Sequence, residues 1–347
     1  MRFRLARFLL LAVLAAALTA GLFALRGLSP LSADSREISA LVERDQIVWY
    51  FRWPLTHLLA QSLHRAAGLS GADCLALLSS IAGALFLVTL FRVARRSPLI
   101  LTLLASSATL TLIGHVEVYA WPLFALLLVL LEGERCLRGE VSLRRFVSIY
   151  LLGCLSHMLL LFYAPAVLWL TIRARRRAQE RGEARETDVR DALLTLILSV
   201  ALVSALALAL PSDGLDNNTS RLVPLTMPEI PNSSNQVTLF SAGHVQAMGM
   251  FLIMSCPLGL LLVVARMRMI RASDTLTFTS IAAGCGLVFL ILWHPDMGWR
   301  GDWDLFSHPG LVINVLGWRL WTTQSVPEDQ LLAEAQSCRE NAQSSST

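Results

Sequence analysis

At 347 residues, 55% of them hydrophobic and 16% charged, with a mean hydropathy of +0.58, the chain is too apolar for a soluble domain of its length. All 29 basic residues are arginine, and the +4 net charge sits mostly in short segments between apolar runs, which is a signature of membrane topology and excludes a nucleic-acid surface. Without lysine there is no Schiff-base chemistry and no Walker-type phosphate loop, and the six cysteines have the spacing of neither a zinc knuckle nor a disulfide framework.

The expected class is therefore an all-α, polytopic integral membrane bundle. Its first apolar run, 8–25, follows the basic start "MRFRLAR" and is longer than a signal-peptide core, so it predicts an uncleaved first helix with a cytoplasmic N-terminus. A long polar loop, 26–73, comes next. Further spans are expected at 74–91, 192–210, 245–265 and 275–293. Two shorter runs, 98–113 and 118–131, flank "GHVEVY" as a hairpin whose tip lies near or below the membrane surface. Residues 146–172 would carry the arginine-rich stretch after them to the wrong face if they formed one helix. Their length, about 40 Å of helix, suits two half-spans that enter and leave on the same side, with Gly153, Ser156, His157 and Pro165 as breaks. The transmembrane domain is assigned to 1–321, with about eight spans plus short hairpins, and a polar tail, 322–347, has a composition that predicts disorder.

This topology brings four polar segments to one non-cytoplasmic face: the loop 26–73, the "GHVEVY" tip, the loop 211–244, and "HPDMGWRGDWDLFSHP" after the last long run. Charged groups at membrane depth are costly and tend to face an interior cavity, so a shared site is expected there. His115 and Glu117 either bind a ligand or hold the hairpin tip together by hydrogen bonds. His157 and His244 carry the same two readings.

The short broken helices and the acidic first outer loop, followed by "RWPLTHLL", resemble the GT-C superfamily of membrane glycosyltransferases. The chain is also similar to a group of uncharacterised bacterial multi-spanning proteins with "GHVE-x-Y-A", a histidine shortly before a late span, and "RDWDLFS"; here these stand at 114–120, 241–244 and 300–307. The resemblance implies transfer of a sugar from a polyprenyl-phosphate-linked donor to an envelope acceptor at the outer face of the inner (plasma) membrane. By position it puts the catalytic base on Asp34, with Glu37, Glu43 and Asp45 as nearby alternatives, Glu37 first among them; the competing reading is that these loop acids are simply solvated. A base of this type would take the proton of an acceptor hydroxyl as it attacks the anomeric carbon.

Arg52, His294 and Arg300 are the candidates for stabilising a departing phosphate, although Arg52 also reads as an interfacial anchor beside Trp49 and Trp53. His115, Glu117 and His244 join them as substrate-binding candidates. Asp302 and Asp304 could hold a divalent cation or act without one, and Trp303 is either a sugar platform or an interfacial aromatic. The partners implied are a lipid-linked sugar donor, an envelope acceptor and membrane lipid, with no nucleic acid. The rival is a non-catalytic transporter or assembly partner for lipid-linked glycans, though no repeat of transporter halves is visible. A shortened, inactive relative is the third reading, because "LVINVLGWRLW" is too short to cross a bilayer where the similar proteins continue with further spans.

Overall fold

The computed structural model describes residues 2–28, 33–44, 46–47, 52–93, 108–112, 114–180, 223, 225, 238–293 and 304–323. Its helices are α1 (Arg2–Ala24), α2 (Ala33–Val42), α3 (Pro54–Ala67), α4 (Gly71–Val93), α5 (Ala120–Leu137), α6 (Leu143–Ser156), α7 (Ala164–Glu180), α8 (Ala242–Ser255), α9 (Pro257–Arg266), α10 (Asp274–Leu292) and α11 (Ser307–Thr322). Among the described residues the fold is all-helical. Four helical segments, Leu9–Leu28, Gly71–Val93, Met158–Arg177 and Asp274–Leu292, are long and apolar enough to cross a membrane, and the pair α8–α9 makes a fifth if it is one broken span. The span expected at 192–210 and most of the run 98–113 lie outside the described residues.

The bundle has two chemically distinct ends. At one, Arg145 reaches Glu132, Arg319 pairs with the buried Glu134, and Arg173 and Arg177 both bind Asp274. Those pairs gather the C-termini of α5, α7 and α11 with the N-termini of α6 and α10. At the other end lie the start of α5, the break after α6, the start of α11 and the end of α10.

The segment 146–172 turns back on itself as expected, but not as two half-spans, since Met158–Arg177 is by itself long and apolar enough to cross a membrane. α6 stops at His157, whose extended backbone (φ −163°, ψ 129°) ends the helix, and a 3-10 turn, Met158–Tyr163, redirects the chain into α7. The return is fixed at the far end, where Arg177 donates to the carbonyl of Leu137 at 3.1 Å. Pro165 is accommodated in the first turn of α7, where no intrahelical N–H is needed.

The span expected at 245–265 is not one continuous helix: α8 and α9 meet at a 98° bend, as a broken span or a re-entrant loop. Pro257 lacks an N–H and disfavours helical backbone at the residue before it, and Cys256 accordingly leaves the helix (φ −148°, ψ 49°). α8 then stays at the end of the bundle occupied by the last turn of α10, because His244 Nε2 bonds the carbonyl of Ile291 at 3.0 Å.

α11 is about 24 Å long, shorter than the hydrocarbon core, yet it is buried almost throughout. It packs in the middle of the larger core with Phe146, Tyr163, Phe278, Phe289 and Phe306. A smaller core of Ile38, Val42, Trp53, Leu75, Val116 and Val118 ties α2, α3 and α4 to the "GHVEVY" loop.

Candidate functional site: a buried His-Glu-Asp centre

The centre begins with the loop 114–119. Gly114 takes a left-handed backbone (φ 59°), and a Cβ there would come within 2.9 Å of Arg26 Cβ and 3.0 Å of the Leu22 carbonyl, so only glycine lets the loop seat on the end of α1. Val116 and Val118 anchor the loop in the smaller core. Between them and beside them stand two polar side chains that a purely apolar anchor does not need, His115 and Glu117, both buried.

Each polar side chain binds a different part of the chain. Glu117 Oε1 accepts a hydrogen bond from Ser35 Oγ at 3.2 Å, and the Glu117 carbonyl accepts one from Ser79 Oγ at 3.3 Å. His115 Nε2 lies 3.0 Å from Asp304 Oδ2, with both side chains less than a tenth exposed. Asp304 is itself held by the turn that opens α11: its Oδ1 accepts from the Leu305 N–H at 2.8 Å, and its carbonyl accepts from Ser307 Oγ at 2.5 Å. To donate to this carboxylate, a neutral His115 carries its proton on Nε2.

One ligand atom from each of His115, Glu117 and Asp304 lies within 4.8 Å of the others, so the group could hold a metal ion. Imidazole nitrogen with two carboxylates is a donor set that suits Mg²⁺, Mn²⁺ or Zn²⁺. Without an ion, His115 and Asp304 pair directly and Glu117 is held by Ser35.

The remaining expected residues sort clearly. Asp34 lies in the first turn of α2, next in sequence to Ser35, which touches Glu117. Glu37 is on the exposed face of α2, away from the buried face of Ser35, Ile38 and Ser39. Arg52 is half-buried; its carbonyl accepts the Met158 N–H at 2.8 Å, which docks the segment before α3 on the break after α6. His244 is buried on the Ile291 carbonyl and is not part of the His-Glu-Asp group. Asp45, His294, Arg300, Asp302 and Trp303 lie outside the described residues. The sequence reading missed Ser35, Ser79, His308 and Tyr163. His308 alone had a visible signal, as a second histidine four residues beyond Asp304 in "DLFSHP".

Comparison of the chain with protein-family models, curated proteins and solved structures returned no match.

Proposed function

We propose that this protein is an integral membrane glycosyltransferase of GT-C type, which moves a sugar from a polyprenyl-phosphate-linked donor to an envelope acceptor on the non-cytoplasmic side. The observation that carries this reading is the meeting of three segments far apart in sequence, through Ser35–Glu117 and His115–Asp304, to bury two carboxylates and an imidazole at one end of an apolar bundle. Buried carboxylates in a membrane protein are costly, and a site that must take up a proton and handle a charged leaving group gives a reason to keep them. Asp34, beside Ser35, is the proposed base for the acceptor hydroxyl. His115, Glu117 and Asp304 orient the donor, and they are the residues that would hold a divalent cation. Such a cation, when bound, supplies positive charge opposite the departing phosphate.

The test uses the full chain in nanodiscs with polyprenyl-phosphate-linked hexoses and an envelope extract as acceptor source, reading release of polyprenyl phosphate. Asp34→Asn and Asp304→Asn are expected to lower the rate by about 100-fold or more, with insertion and melting temperature unchanged for the first. EDTA is expected to abolish turnover, and Mg²⁺ or Mn²⁺ to restore it. Donor that binds but is never consumed would replace this reading with the non-catalytic carrier, and wild-type rates in Asp34→Asn would remove the base.

A further inference from the structure

A second polar group lies deeper, where α6 breaks and α11 begins, and the His-Glu-Asp centre does not use it. His157 and His308 are both more than nine-tenths buried. His157 Nδ1 accepts the Leu159 N–H at 3.0 Å, so the neutral ring must carry its proton on Nε2. His308 Nδ1 lies 2.6 Å from the Tyr163 hydroxyl. Tyr163 is fully buried, and its O–H has this nitrogen as its acceptor, so His308 too carries its proton on Nε2.

Neither Nε2–H has a hydrogen-bond partner among the described residues. One short turn links the two rings: His157 caps the 3-10 turn Met158–Tyr163, Tyr163 at its end reaches His308, and the Met158 N–H bonds the Arg52 carbonyl at 2.8 Å, which puts Arg52 beside His157. Aromatic rings fix both: Trp53 and Tyr119 pack on His157 at 5.9 and 5.2 Å, and Phe289 on His308 at 4.6 Å.

We infer that His157 and His308, with Arg52 beside His157, form a binding pocket for a phosphoryl group. Two buried donors left without acceptors are costly, and they are held in place by Nδ1 bonds and ring packing, so the arrangement is prepared for an acceptor that arrives from outside. A sugar hydroxyl would satisfy one donor and gains little from a guanidinium. A phosphoryl group has several acceptor oxygens, accepts from separate directions at once, and is the ligand for which a guanidinium adds most.

Position fits as well. His308 follows Asp304 by four residues on the same chain turn, and Tyr119, which packs on His157, follows Glu117 by two. The pocket thus adjoins the centre at which the sugar–phosphate bond would break. Naming a lipid-linked phosphate as the source rests on the glycosyltransferase reading; the phosphoryl chemistry of the pocket does not.

The experiment is equilibrium binding to the full chain in detergent, with farnesyl phosphate, farnesol and inorganic phosphate as probes. Farnesyl phosphate is expected to bind at least about tenfold more tightly than farnesol, and inorganic phosphate to compete with it. His157→Asn and His308→Asn keep an acceptor near Nδ1 and lose the Nε2 donor, and they are expected to weaken farnesyl phosphate by about tenfold or more. His157→Gln places an amide N–H near Nε2 and is expected to stay within about threefold of wild type. Competition by inorganic phosphate with no advantage for the lipid form assigns the pocket to a free phosphate and keeps its chemistry. Equal affinity for farnesol and farnesyl phosphate, or wild-type affinity in both asparagine variants whose melting temperatures show them folded, overturns the proposal. Because binding is read without turnover, a wild type that transfers no sugar leaves this result standing, and failure here leaves the assignment of Asp34 to its own test.

Discussion

Glu134 and Arg319 show what a single pair of residues does inside this bundle. Glu134 is almost wholly buried near the end of α5, and the Arg319 guanidinium reaches it from α11 with two hydrogen bonds. Without Arg319 the buried Glu134 keeps only the longer contact to Arg138 at 3.9 Å, so Arg319→Met is expected to cost about 3 kcal/mol, whereas Glu134→Leu combined with Arg319→Leu should recover most of the loss. Thermal unfolding in detergent decides it, and a double variant no more stable than the single would refute the pairing as the cause. His57, on α3, outside the candidate spans, makes a prediction about pH. Burial, with Arg44 adding to it, lowers its pKa from the usual 6.5 to about 4. The unfolded chain therefore takes up a proton at His57 before the folded chain does. Stability from this residue is complete above about pH 6.5 and falls as pH drops toward 4, by about 3 kcal/mol at most. In His57→Gln the melting temperature should fall less steeply over that window than in wild type, and parallel profiles would remove the assignment. At this scale the sequence was legible where a charge had no apolar excuse: His115, Glu117 and Asp304 stood out beside long apolar runs. Ser35 and Tyr163 did not, because a serine or a tyrosine is unremarkable in any loop or helix until its partner is known.

Helices α9 and α11 lie against each other over small residues. A Cβ on Gly317 would meet the Gly259 carbonyl oxygen at 2.6 Å, and one on Gly259 would meet Asn314 Cα at 2.6 Å. Both obstacles are backbone, so the helices must part to admit a methyl group. Gly317→Ala is expected to destabilise by about 1–3 kcal/mol despite its better helix propensity. Gly284 in α10 supplies the control, since nothing lies within 4 Å of its Cβ position, and Gly284→Ala should be neutral or stabilising. Equal melting temperatures for the two variants would sink the close-packing account. The helices themselves were unevenly readable. The reversal within 146–172 followed from arginine placement, with its break at His157, whereas its reading as two half-spans did not hold, because Met158–Arg177 is long and apolar enough to cross alone. The break between α8 and α9 was missed although Pro257 marks it, because the surrounding hydropathy is continuous and a window average does not register one absent N–H. α11 was missed as a core element for the opposite reason: a length rule built for lipid-facing spans says nothing about a short helix walled by other helices.

Across the whole molecule the cluster of ion pairs around Glu132, Glu134 and Asp274 and the candidate site lie at opposite ends, and that separation makes the topology testable. Arg135, Arg138, Arg145, Arg173 and Arg177 crowd the end where α5 and α7 finish, and the arginine-rich sequence "RARRRAQERGEAR" runs on from there. Basic segments are retained on the cytoplasmic side, so this end is expected to face the cytoplasm and the His-Glu-Asp centre the opposite compartment. Two exposed positions report on it. Glu140 lies in the loop between α5 and α6 at the arginine end, where its contacts to Arg135 and Arg138 are surface pairs of little energetic weight. Ala66 lies at the end of α3, next to the start of α4, which joins the end of α1 through Arg26–Asp73 at 3.0 Å. In intact cells a membrane-impermeant maleimide should modify Ala66→Cys and spare Glu140→Cys, and permeabilisation should expose the second. The native cysteines provide little background among the described residues, since Cys74, Cys136 and Cys256 are buried and Cys154 and Cys285 partly so. Labelling of both sites from outside would mean that α5 and its neighbours do not cross, which contradicts a bundle with two separated ends. Reversed labelling would turn the His-Glu-Asp centre toward the cytoplasm. A lipid-linked donor on the non-cytoplasmic side would then fall with that topology.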